Sequence, residues 1–144
     1  MCKQTDLTLL VRDDTQRFLR ESDLRAGGRD DQFVALDEKT GTIAPAPRGS
    51  LRWGGVVPAL ESSSVVKLAG GGRMRVRPVF ARLRDHLKAY SPEDASASCG
   101  THPDVIRGLA RDCAKATTAI LLGFNSCKYY HCDVMERSML SSSP

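Results

Sequence analysis

The densest run of side chains able to do chemistry is Gly123-Phe124-Asn125-Ser126-Cys127-Lys128-Tyr129-Tyr130-His131-Cys132-Asp133. Asn125 and Ser126 offer the amide and hydroxyl groups that hydrogen-bond a planar heterocycle. The Lys128 ammonium neutralises a phosphate or holds an electron-rich ring. His131 donates or accepts a proton near neutral pH. The alternative is an ordinary connecting loop whose polar residues cap a helix. Cys127, His131 and Cys132 also raise zinc. However, Cys-x3-His-Cys is not a standard structural spacing, and a fourth ligand would have to come from Cys99, Cys113 or His102. Gly70-Gly71-Gly72 sits in a hairpin turn and not before a helix, so it is no phosphate loop, and no nucleophile elbow is present.

Such a run needs elements on both sides to position it. Thr117 to Leu122 reads as a buried strand closed by Gly123, and a helix is expected from near Tyr130 through Met139. A strand–loop–helix places the loop at the carboxyl edge of a sheet, where open α/β sheets bind ligands. Upstream, Ser91-Pro92-Glu93-Asp94 is a helix start, with Ser91 as cap, and Cys99-Gly100 is its end. Thr101-His102-Pro103-Asp104 opens the next helix, with Val105, Ile106, Leu109, Ala110 and Cys113 on one face.

Earlier segments are β-like. Leu7 to Val11 could be a buried strand. Phe33 to Leu36 and Thr42 to Ala44 form a small hairpin around Asp37-Glu38-Lys39-Thr40-Gly41, with Pro45, Pro47 and Pro58 stopping regular pairing. Val65 to Leu68 and Met74 to Pro78 form a second hairpin across glycines. Phe80, Leu83, Leu87 and Tyr90 then make one apolar helical stripe. The expected fold is α/β or α+β: two β-hairpin segments followed by α-α-β-α. Residues 1–78 are the irregular and hairpin segment, residues 79–140 the helix-helix-strand-loop-helix segment, and residues 141–144 a frayed end.

Composition sets the outer bounds. The 144 residues are 41% hydrophobic and 26% charged, which is globular and not disordered. Lys and Arg number 21 against 17 Asp and Glu, for a net charge of +4. No apolar run is long enough for a membrane helix, and no signal peptide or twin-arginine leader is read at the N-terminus. Five cysteines, an odd number without paired spacing, read as reduced thiols or small buried side chains. Arg73, Arg75, Arg77, Arg82 and Arg84 concentrate positive charge. Without aromatic platforms they read first as a solvated face, and second as a small stand-alone basic binding module.

TDLTLLVRDDTQRFLRESDL, DQFVALDEKTG, LRWGGVVPALE and CGTHPDVIRGLARDCAKATTAILLGFNSCKYYHCDVMERSML together resemble the interior of a molybdopterin oxidoreductase catalytic subunit. The family is that of dimethyl sulfoxide reductase, in its nitrate, selenate and chlorate reductase and dimethyl sulfide and ethylbenzene dehydrogenase branch. The resemblance implies a partial piece of a larger molybdopterin-binding α/β domain. It implies a bis-molybdopterin guanine dinucleotide cofactor with molybdenum, bound in part by Gly123, Asn125, Ser126, Lys128, His131 and Asp133, with Asp6 near it. It also implies an iron–sulfur electron-transfer subunit as partner, a small-molecule substrate and no nucleic acid. Cysteines for an iron–sulfur cluster and the segment bearing the molybdenum ligand are not found. Cys132 stands where glycine is usual, and Thr8 where proline is usual. The expectation is a fragment, inactive alone. Intact relatives are often periplasmic.

Overall fold

A computed structural model describes residues 3, 5–50, 52–115, 119, 128 and 130–141, without the side chains of 139–141. The chain divides into two compact units, Met1–Ala89 and Tyr90–Pro144.

The first unit is built on both expected hairpins. β-branched Val65 and Val66 favour the strand β4 (Ser64–Lys67), which pairs antiparallel with β5 (Arg73–Pro78) in the register Val65↔Arg75 and Lys67↔Arg73. Gly71 takes φ +85° in the turn, and Leu68 N–H donates to the Gly72 carbonyl at 2.8 Å. The strand β1 (Leu10–Arg12) pairs with the other edge of β5, giving the sheet order β1-β5-β4. Pro78 can donate no ladder bond. Val79 N–H donates instead to the Leu9 carbonyl at 3.0 Å.

The other hairpin joins β2 (Val34–Leu36) to β3 (Ile43–Pro45) in the register Leu36↔Ile43. The Asp37–Gly41 turn forms as expected, with Gly41 at φ +69°. Pro45 does not stop the pairing before it: it is the exposed last residue of β3, and Ala46 N–H carries on to the Phe33 carbonyl at 2.8 Å.

Two expectations need correcting here. Leu7 and Thr8 are not strand. Thr5 Oγ1 accepts from Leu7 N–H at 3.3 Å and caps a single 3-10 turn, Asp6–Thr8, so extended pairing starts later. The stripe from Phe80 to Tyr90 is only half realised. The helix α2 (Val79–Leu87) buries Ala81 and half-buries Phe80 and Leu83, whereas Leu87 is 52% and Tyr90 62% exposed. The helix ends at Leu87, so Tyr90 lies beyond it and off the stripe.

The core contains Leu10, Leu19 and Val76, all fully buried, with Val34, Leu36 and Val66 around them. A short helix, α1 (Glu21–Leu24), adds Leu24 to its rim. Gly28 is required beside α1, because a Cβ there would sit on the Glu21 carbonyl.

In the second unit, α3 (Pro92–Cys99) starts on a capping box. Ser91 Oγ accepts from Asp94 N–H at 3.1 Å, and Asp94 Oδ2 accepts from Ser91 N–H at 3.3 Å. Gly100, at φ +74°, closes it. The helix α4 (Pro103–Lys115) follows and is tied to α3 by Arg107 and Glu93 at 2.5 Å. Its expected apolar face forms but stays open: Val105 is 60% and Leu109 67% exposed. The helix α5 (Cys132–Ser141) matches the expected last helix. The expected strand Thr117 to Leu122 lies outside the described residues, apart from Ala119, which is exposed and in no element.

Candidate functional site

The start of α5 carries the described part of the expected site. His131 has φ +57°, the left-handed region that a β-carbon disfavours. Its carbonyl accepts from both Val134 N–H and Met135 N–H at 3.1 Å, the first bonds of the helix. The imidazole lies against the Tyr130 ring, with centroids 3.8 Å apart and planes tilted by 58°. Asp133 stands in the first turn of α5, where the helix dipole favours a carboxylate. Lys128, His131 and Asp133 are all exposed. A cation, a two-nitrogen ring and an acceptor thus fall within six residues of sequence, all exposed. Gly123, Asn125 and Ser126 lie outside the described residues, as does Cys127 of the zinc alternative. Among the described residues no three His, Cys, Asp or Glu side chains are grouped to hold a metal ion. Among the described residues Cys99, Cys113 and Cys132 are not joined in disulfides.

His102 stands at the helix entry, as expected. Its Nδ1 accepts from Asp104 N–H at 3.3 Å at the start of α4. Asp6 opens the 3-10 turn beside a small cleft of about 110 Å³, which Thr5, Phe33, Ser50 and Trp53 also line.

The arginine concentration divides in two. Arg77 bridges Asp13 at 3.5 Å and Asp85 at 3.0 Å, Arg82 lies 3.9 Å from Asp13, and Arg84 pairs with Glu61. Arg77, Arg82 and Asp85 border a groove of about 550 Å³ floored by Val11, Val79 and Leu83. Hydrogen bonding from Lys88, aided by the charge of Arg77, holds the Asp85 carboxyl below its usual range. Sequence reading missed the counter-ions. Asp13 is 64 residues from Arg77, and no local pattern announces such a pair.

No family model matches the chain. Individual proteins do. The perchlorate reductase alpha subunit of Dechloromonas aromatica is 34% identical over 95% of this chain and 18% of its own length. The chlorate reductase alpha subunit of Ideonella dechloratans is 38% identical over 89% of this chain and 14% of its own. The dimethylsulfide dehydrogenase alpha subunit of Rhodovulum sulfidophilum is 40% identical over 90% of this chain and 14% of its own.

The chain belongs to the molybdopterin oxidoreductase alpha-subunit family.

The family resemblance read from the sequence is thereby borne out. The chain spans only 14–18% of the length of these molybdopterin oxidoreductase relatives. Each relative is an alpha subunit, one part of a multi-subunit enzyme. Among the described residues no helix is long and apolar enough to cross a membrane.

Proposed function

We propose that this chain forms part of the wall of a bis-molybdopterin guanine dinucleotide site in a molybdenum-dependent oxidoreductase catalytic subunit, and is inactive alone. The observation that carries this reading is the 34–40% identity to alpha subunits across nearly the whole chain. The donor set agrees in kind. Lys128 supplies positive charge for a phosphate, His131 a ring N–H, and Asp133 an acceptor for a pterin N–H. Asn125 and Ser126 supply amide and hydroxyl groups, and Gly123 allows close backbone approach. When bound, the cofactor supplies two-electron redox chemistry at molybdenum; the residues of this chain bind and orient it. An iron–sulfur subunit is the proposed electron partner, and a small molecule the proposed substrate.

The test is a graft. This chain replaces the matching segment of the chlorate reductase alpha subunit, and the purified complex is assayed for molybdenum and pterin. The graft is expected to hold both, with Lys128→Ala and His131→Ala each lowering bound pterin. The isolated chain is expected to show no dye-linked reductase activity. Full pterin retention in a folded Lys128→Ala, His131→Ala double variant would sink the site assignment.

A further inference from the structure

One strongly charged surface is left over by the ion pairs of the first unit. On the outward face of the β4–β5 hairpin, Val65, Lys67, Arg73 and Arg75 alternate with inward Val66, Met74 and Val76. Lys67 stands directly opposite Arg73, and Val65 opposite Arg75. Side chains so placed lie about 5 Å apart across the strands and about 7 Å apart along them. Like charges directly opposite are unfavourable, and among the described residues no carboxylate pairs with Lys67, Arg73 or Arg75. By contrast, Arg77 farther along the same strand has two carboxylates. The uncompensated end of the hairpin is also the end of the sheet, since β4 is an edge strand in the order β1-β5-β4. Val65, 64% exposed, sits among the cations.

We infer that this face and edge dock an extended, carboxylate-rich segment of a partner protein, with acids at alternate positions. A strand added along β4 gains backbone hydrogen bonds and places every second side chain over this face. Its acids meet Lys67 and the two arginines, and its apolar residues meet Val65. Nucleic acid fits less well. The outward side chains include no aromatic ring on which a base could stack, and β4 offers backbone pairing that a phosphate chain cannot use. Edge cations also deter pairing with neutral or basic strands, which sharpens the choice of partner. The inference is independent of the cofactor reading.

The experiment titrates the full chain into a labelled octapeptide of alternating Glu and Val, with the Lys–Val analogue and a short DNA duplex as comparison probes. Binding of the Glu–Val peptide, lost in high salt and weakened about tenfold in Lys67→Ala, Arg73→Ala, Arg75→Ala, is the expected result. A charge-matched control, Arg17→Ala, Arg52→Ala, Arg111→Ala, is expected to bind as the parent does. Circular dichroism checks each variant for folding. Should the triple variant fail to fold, the single Arg75→Ala carries the reading, with about a threefold loss expected. Equal weakening by the control would overturn the inference in favour of net charge alone. Tighter binding of the duplex, lost in the same triple variant, would overturn it in favour of nucleic acid.

Discussion

At the residue scale, the acidic side chains of the first unit are anchored by hydrogen-bond donors more than by burial. Arg12 donates to Asp14 at 2.7 Å and to Asp23 at 2.6 Å, and Asp23 also accepts from Arg20 N–H at 2.9 Å at the start of α1. The Arg12 guanidinium, with Thr15 N–H, holds the Asp14 carboxyl down from 3.8 to about 2. A folded-state value below the unfolded one stabilises the fold above the unfolded pKa. That contribution is lost as pH falls through the folded value. Urea midpoints should therefore fall between about pH 4 and pH 2, and Asp14→Asn should flatten part of that slope. Added salt should shrink the difference, because the pair is partly exposed. An Asn variant that keeps the full slope would show that other carboxylates carry it. Asp37 belongs to the same class. It accepts from Lys39 N–H at 3.2 Å, Val57 N–H at 3.1 Å and Thr40 Oγ1 at 2.9 Å, which holds its carboxyl below the usual range. The Asp37 turn is legible in the sequence from its Asp-to-Gly signature. Its tie to Val57 is not, because it joins positions 20 residues apart.

At the element scale, legibility follows how local the determining chemistry is. Glycine-rich turns and alternating β-branched residues give both hairpins, and Ser91, Pro92, Asp94 and Gly100 give both ends of α3. These signals act within a few residues. Which helix face is buried depends on distant partners, and periodicity alone misjudges it twice. Leu87 lies open although it continues the α2 stripe, and Leu109 is open although it centres the α4 stripe. The lysine, histidine and aspartate at the start of α5 are legible as chemistry. The left-handed turn at His131 is not, because nothing in the side chain requires it. A matched pair of substitutions measures the difference between the faces. Leu10→Ala, at a fully buried position, should cost about 2–5 kcal/mol in chemical denaturation. Leu109→Ala removes the same atoms from exposed surface and should change stability by less than about 0.5 kcal/mol. Comparable losses at the two sites would mean that α4 is covered in solution.

At the scale of the whole molecule, the two units differ in what holds them. The first has a contiguous core of seven buried residues. In the second, α3 and α4 contain no buried residue and are joined through side chains such as Arg107 and Glu93. Local opening free energy scales with buried apolar contact. Amide exchange should therefore be slowest at Leu10, Leu19 and Val76 and markedly faster throughout α3 and α4. Uniform protection across both units would contradict this. The five-sixths of a relative that lies outside the matched stretch is one source of surface that such helices would otherwise use.

The pairing of β1 with β5 also has a consequence for synthesis. On one edge Leu10 to Arg12 bond the nearby Arg17 and Leu19, but on the other they find their partners only at Val76 to Pro78. At roughly 5–20 residues per second, a ribosome exposes the first strand several seconds before the strand that completes its sheet. During that interval the strand has only its local partners at Arg17 to Leu19, and the edge that β5 will cover is available to a chaperone or to another nascent chain. The first unit becomes a folding unit only when β5 has cleared the exit tunnel, so any pause in translation before Pro78 lengthens the time that edge stays uncovered.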